Sequence, residues 1–157
     1  MLNYHTYYSL RYGTLSPTQL VEAAVARALK TLVLTDINNA SCAFEFIQLC
    51  QKADIKPILG IEFRQNNQLR YIGIAQNMNG FEALNTFLSE HTQYQKDLPI
   101  DAPTLPHCFI IYPRLHKDIR QFKAHEFLGI RPEFIGRIYR SPVEKHLHKL
   151  VAWCPVS

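Results

Sequence analysis

Apolar positions along this chain fall into short buried runs and helical stripes that alternate. Leu32-Val33-Leu34-Thr35 is a four-residue run that ends in Asp36 and then in Asn38-Asn39, which predicts a buried strand closing in a loop. Pro57-Ile58-Leu59-Gly60-Ile61 repeats the pattern and ends in Glu62. Residues 2–10 suit a strand running into a loop, with His5 at its end. Ser16-Pro17-Thr18-Gln19 is a helix start: Ser16 as N-cap, Pro17 at the first helical position, Gln19 closing a capping box. Leu20, Val21, Ala24, Val25 and Ala28 continue it as an apolar stripe to about residue 29. Phe44, Ile47 and Cys50 mark a second helix over 41–53, and Asp54-Ile55-Lys56 the turn after it. The order β-α-β-α-β with short connections predicts parallel pairing.

Beyond Glu62 the pattern changes. Gln65-Asn66-Asn67-Gln68 is a polar turn between β-prone runs over 61–64 and 69–75, which predicts a hairpin. Asn77-Met78-Asn79-Gly80 reads as a further turn, and Phe81, Leu84, Phe87 and Leu88 as a helix to about residue 90. Residues 92–107 carry three prolines and predict a long loop. Strands follow at 108–112 and, more weakly, at 127–130; Pro132 opens a helix, 143–150 forms another helical turn, and 150–154 begins a strand. The chain stops at Ser157 with neither a terminal helix nor a polar tail, so a truncated domain is expected.

Composition narrows the class. The 157 residues suffice for one domain with a core, and 47% hydrophobic with 19% charged residues is ordinary for a globular protein. No apolar run approaches the roughly 20 residues of a membrane span, and the N-terminus has no signal-peptide pattern, so a cytoplasmic protein is expected. Four cysteines stand at 42, 50, 108 and 154 without a Cys-x-x-Cys pair, and all four read as reduced thiols. The net charge is +4, and residues 114–149 carry nine Lys/Arg against four acids. Arg114, Lys117, Arg120, Lys123, Arg137, Arg140, Lys145 and Lys149 are candidate contacts to nucleic acid or to an acidic partner, with a solvated basic face as the commoner meaning of such a run.

Asp36 and Glu62 are the chemical lead. Open α/β sheets and α/β barrels place ligands at strand carboxyl ends, and neighbouring strands that each end in a carboxylate suggest a metal or phosphate site. The bland alternative is that Asp36 caps the next helix and Glu62 is a solvated strand end. His146-x-His148 has ligand-like spacing, but its surroundings read as helical and basic, where i and i+2 diverge. Nothing matches a Ser-His-Asp triad, a P-loop or a dinucleotide glycine pattern.

An ordered string of motifs then resembles a family. Tyr8-Ser9-Leu10 with Gly13, Leu34-Thr35-Asp36-x-x-Asn39, Ala43-Phe44-Glu45-Phe46 and Ile55-Lys56-Pro57-Ile58-Leu59-Gly60-x-Glu62 are similar to the PHP (polymerase and histidinol phosphatase) domain. The version at the start of bacterial replicative DNA polymerase III alpha subunits is the nearest. Ile74-Ala75-Gln76-Asn77 with Gly80-Phe81 and Leu84 resembles that family's next strand and helix. The match is good over 2–90 and looser at Phe127-Leu128-Gly129-Ile130-Arg131-Pro132.

The resemblance implies a distorted α/β barrel, of which residues 1–157 would be the N-terminal part. It also implies metal ligands at the strand ends. His5, Asp36 and Glu62 match ligand positions; Asn3, Ile37 and Arg70 stand where the family pattern has histidine. Ile37 cannot ligate, and Arg70 would set a cation where the ion belongs and pair with Asp36 or Glu62. No catalytic residue is assigned. A divalent zinc, manganese or magnesium ion, if bound, would sit on His5, Asp36 and Glu62. The expected role is a scaffold within a replicative DNA-directed DNA polymerase, whose nucleotidyl transfer and DNA contact lie in the rest of the alpha subunit, with a proofreading exonuclease subunit as a further partner. The alternatives are a metal-dependent phosphoesterase or 3′–5′ exonuclease, and a stand-alone nucleic-acid-binding module.

Overall fold

A computed structural model describes residues 3–156. Eight strands form one sheet in the order β7-β6-β5-β4-β3-β2-β1-β8. They are β1 (Asn3–Tyr4), β2 (Thr31–Leu34), β3 (Lys56–Gln65), β4 (Gln68–Ala75), β5 (Cys108–Tyr112), β6 (Glu126–Ile130), β7 (Leu150–Ala152) and β8 (Pro155–Val156). The helices are α1 (Pro17–Ala26), α2 (Ala43–Lys52) and α3 (Met78–Gln93), with 3-10 segments at Ile119–Gln121, Pro132–Arg137 and Pro142–Lys149.

The order of the strands forces the sheet to curl. β7 and β8 lie at opposite edges, yet Trp153 and Cys154 alone separate them in sequence. Laid flat, seven gaps of about 4.8 Å would hold the edges roughly 34 Å apart. Three Cα steps from Ala152 to Pro155 reach at most roughly 11 Å. The edges therefore approach each other, and the sheet is a distorted barrel, as the motif resemblance implies.

Alternation along the strands sorts side chains between its two faces. Leu32, Leu34 and Leu59 pack outward against Leu20, Val21 and Ala24 of α1 and Phe46 and Cys50 of α2. Ile61, Phe63, Tyr71 and Ile110 pack with Leu84 and Phe87 of α3. Val33, Ile72, Ile74, Ile111 and Trp153 form a separate cluster on the other face. That inner plug leaves the carboxyl ends of β1, β2 and β3 to polar residues.

The local signals mostly hold. Ser16 caps α1 with the full capping box, but the helix stops at Ala26, short of the expected residue 29, because Ala28 takes a left-handed φ of 52°. β1, β2 and β3 pair in parallel. The hairpin turns at Asn66 and Asn67 with φ of 51° and 62°, a type suited to the twist of the flanking strands. Two expectations are corrected. Glu62 does not end its strand, since pairing with β4 carries β3 on to Gln65. Residues 78–80 are the first turn of α3, because the Asn77 side chain accepts from the Gly80 N–H at 3.0 Å and caps it. The chain after β7 adds a strand at the far edge of the sheet beside β1. The four cysteines are free thiols, and among the described residues no helix is long and apolar enough to cross a membrane.

Candidate functional site

Two carboxylates anchor a buried polar cluster at the carboxyl ends of β1, β2 and β3. Glu62 is fully buried and Asp36 is 1% exposed. Neither is a solvated strand end, and neither caps α2, whose N-cap residue is Cys42.

Asp36 is held by the loop that follows β1. Its Oδ1 accepts from the Thr6 backbone N–H at 2.7 Å and the Ser9 hydroxyl at 2.6 Å, and its Oδ2 from the Thr6 hydroxyl at 2.7 Å. Ser9 Oγ in turn accepts from the Ile37 N–H at 2.9 Å. The loop can reach Asp36 because it is tightly folded: Gly13 N–H donates to the Ser9 carbonyl, and a Cβ on Gly13 would lie 1.8 Å from the Thr6 carbonyl oxygen.

Glu62 is held from the strands. Its Oε2 accepts from Asn3 Nδ2 at 2.7 Å and lies 3.0 Å from His5 Nε2. Asn3 Oδ1 accepts from the Thr35 hydroxyl at 2.6 Å, so Asn3 ties β1 to β3 across the end of β2. Arg64 Nε donates to the other oxygen, Oε1. Burial pushes the Glu62 carboxyl up, but the hydrogen bond and charge of His5, then Asn3, then the charge of Arg64 outweigh it, so the carboxyl sits below its ordinary value. Arg64 is itself positioned: its guanidinium lies 4.1 Å over the Tyr12 ring, and its backbone is bracketed by the Asn38 side chain at 2.7 and 2.9 Å.

The structure brings Asn3, His5 and Glu62 together and seats Asp36 beside them in a network of its own. Ile37 contributes its backbone, as a lone parallel bridge to Glu62. Arg70 is elsewhere. The register shifts between Phe63 and Arg64, so Phe63 faces Tyr71, Arg64 faces Leu69, and Arg70 is the extra residue of a bulge. It forms no ion pair with Asp36 or Glu62, and its Nε lacks a hydrogen-bond partner among the described residues. The cation that meets Glu62 is Arg64, which shares its face by the two-residue repeat of a strand. That spacing was readable in the sequence. Thr6, Ser9 and Thr35, also missed, are polar groups with no charge to single them out.

A metal ion does not fit this donor set. The oxygens of Glu62 face Asn3, His5 and a guanidinium, and those of Asp36 face three donors from Thr6 and Ser9. No group of three or more His, Cys, Asp or Glu able to hold an ion gathers among the described residues. Cys42, which burial and then the charge of Asp36 push up to about 12, offers no thiolate.

The basic side chains divide. Lys117 is tied to Asp101 at 2.8 Å and to the buried Glu126 at 3.1 Å, and Arg120 to Asp118 at 2.6 Å. Lys123 donates to Thr104 at 2.7 Å, and Lys149 to the Lys123 carbonyl at 2.5 Å. Arg137 stacks on Phe134 at 4.7 Å. Arg114, Arg137, Arg140 and Lys145 face solvent. His146 and His148 have ring centroids 6.0 Å apart, with a break in helical geometry at His146.

Comparison with known proteins gives the family. Two DNA polymerase III alpha subunits are similar to this chain: that of Mycoplasma pneumoniae at 32% identity over 84% of this chain and 16% of its own length, and that of Mycoplasma genitalium at 36% over 54% and 10%. The chain thus spans less than a fifth of the curated relatives it matches. A solved amidohydrolase from Chromobacterium violaceum overlaps 60% of this chain and 33% of its own at a TM-score of 0.48 and 24% identity. The PHP domain family matches residues 2–140, and the chain belongs to it.

Proposed function

We propose that this chain is the N-terminal PHP region of a cytoplasmic replicative DNA polymerase alpha subunit, and that residues 1–157 act there as a scaffold without hydrolytic chemistry. Similarity to alpha subunits over 141 residues supports the polymerase reading. The observation that carries the scaffold reading is the Glu62 carboxylate, whose two oxygens are met by Asn3, His5 and Arg64. A hydrolytic metal site needs carboxylates and imidazoles free to fix the ion and acidify its water. Here the one carboxylate that His5 could share with an ion already carries a guanidinium. Nucleotidyl transfer and DNA contact belong to the rest of the parent subunit. A proofreading exonuclease subunit is a partner that this domain's surface would present itself to, and the exposed Arg137, Arg140 and Lys145 offer it or DNA a basic face.

An antibody raised against this chain tests the reading on native cell extract. A species many times heavier than 18.2 kDa is expected, and one near that mass would overturn the polymerase assignment. Elemental analysis of the purified chain tests the scaffold half: stoichiometric zinc or manganese, with phosphodiesterase activity lost on Glu62→Gln, would replace it by a metal-dependent phosphoesterase or exonuclease.

A further inference from the structure

A cavity of about 700 Å³ opens at the other end of the barrel, over the start of β3, the end of β4 and the start of β5. Lys56 stands at its rim, six residues before Glu62 on β3, so roughly 20 Å of strand separates it from the polar cluster. Ile58 and Ile74 of the strands, Met78 and Phe81 of α3 and Phe109 of β5 are among the residues that line it. The inner plug stops short of this end. Ile111 faces inward and is buried, but Phe109, on the same face two residues earlier, is 40% exposed even though it packs edge-on against Phe127 with ring centroids 5.8 Å apart. Met78 is 64% exposed. Lys56 is the one charged residue of the lining, and it forms no ion pair among the described residues. Its N–H donates to the Lys30 carbonyl at 2.9 Å, and exposed Lys30 and Lys52 add positive charge at this end against Asp54 in the turn before β3.

We propose that this cavity binds a small carboxylate with an aliphatic body, a medium-chain fatty acid in class, whose head group meets Lys56 at the rim. The volume lies within the range of small-molecule sites, and the lining has their character, mostly apolar with a few polar groups to orient the ligand. An aliphatic chain laid on Phe109, Met78 and Ile74 removes apolar surface from water, which is where the binding free energy comes from. Lys56 is a compact point charge that a single carboxylate satisfies, and it disfavours a cationic head. The proposal depends neither on the polymerase assignment nor on the scaffold reading of the carboxyl end.

Calorimetric titration of the full chain with decanoate, kept below its micelle concentration, tests the site. One saturable event per chain is expected. Octanoate, two methylenes shorter, should bind about tenfold more weakly. Lys56→Gln should weaken decanoate by about fivefold, the loss of one exposed charge pair, and leave decanol unchanged. Met78→Glu puts a carboxylate at the mouth and should abolish decanoate binding. It is compatible with folding, because Met78 is exposed and an acid suits the first turn of a helix. Lys96→Gln, which removes an exposed lysine beyond α3, should change nothing. Unsaturable uptake, or decanoate binding unaltered in Met78→Glu with an unaltered circular dichroism spectrum, would overturn the cavity as the site. Equal affinity of the native chain for decanol and decanoate would overturn the carboxylate at Lys56. Self-association of the free chain in sedimentation, abolished by Met78→Glu, would mean that a second copy covers the cavity, and would overturn the small ligand.

Discussion

Arg64 and Glu62 stand two residues apart on β3, and the guanidinium of one donates to the carboxylate of the other while His5 and Asn3 share the opposite oxygen. Glu62 is buried, so its charge depends on these partners. Arg64→Met should leave the carboxylate under-compensated and lower stability by on the order of 3 kcal/mol. The double variant Arg64→Met/Glu62→Gln should recover part of that loss, because the unpaired charge is gone. Urea denaturation of the two single variants and the double variant gives the coupling between them, and a coupling near zero would mean that the pair is incidental.

Rebuilding the family's ligand pattern tests the same relationship from the other side. Asn3→His, Ile37→His and Arg70→His restore histidines at the three replaced positions. Arg70 does not touch Glu62 or Asp36, and Arg64 does meet Glu62. The triple variant should therefore gain little zinc affinity, and adding Arg64→Gln should raise it further. Equilibrium dialysis with zinc measures both; tight stoichiometric binding by the triple variant alone would show that Arg64 is no obstacle.

Asp36 makes its contacts to one short loop, and the two oxygens are not equivalent. Asp36→Asn can keep the Thr6 and Ser9 donors on its carbonyl oxygen and lose one bond, at about 1 kcal/mol. Asp36→Ala strands three donors and should cost about 3 kcal/mol or more. Gly13→Ala should act through the same loop without touching Asp36, since its Cβ would meet the Thr6 carbonyl at 1.8 Å, and displacement of this kind costs roughly 1–3 kcal/mol. Faster amide exchange at Thr6 in both Asp36→Ala and Gly13→Ala would mark the shared cause.

What could be read in advance follows from range. Ser16, Pro17 and Gln19 define a helix start by local bonds, and they were legible as such. Asp36 was legible as a carboxylate just past a buried strand because period and loop signals located it, whereas Glu62 read as a strand end because the pairing with β4 that carries β3 on to Gln65 leaves no local signal at Glu62. Arg70 was misjudged for a physical reason: one extra residue in a bulge shifts which side chain meets a partner strand, and nothing in the composition of the hairpin announces the bulge. Barrel closure was not legible from β7, since the pairing of β8 with β1 joins residues about 150 positions apart in sequence.

The pH dependence has a definite sign. The folded Glu62 carboxyl lies below its ordinary value of 4.5, so between the two values the unfolded chain binds more protons than the folded one. Glu126 shifts the same way: burial raises it, and the Lys123 N–H and Lys117 outweigh that. The stability these groups contribute is fully present above 4.5 and is lost as pH falls through their folded values. Urea midpoints taken at neutral pH and in steps below 4.5 should fall in acid, and Glu62→Gln should flatten that fall. An acid limb unchanged in both Glu62→Gln and Glu126→Gln would place the titrating groups elsewhere.

Thiol reactivity tests the packing around both outer clusters. Burial pushes Cys42 up to about 12, and Cys50 and Cys108 to about 11 each. All three are also inaccessible, Cys42 and Cys50 beneath α1 and α2, and Cys108 with its thiol donating to the Gly80 carbonyl at 3.2 Å. Cys154 is half-exposed in the link between β7 and β8. A disulfide reagent at mildly alkaline pH should modify one thiol quickly and the other three at the rate of unfolding, because a buried thiol with a raised pKa supplies almost no thiolate. Mass analysis of the fast product should place the label on Cys154. Rapid labelling of Cys42 would instead mean that the Thr6–Ser9 loop opens readily, and with it the setting of Asp36.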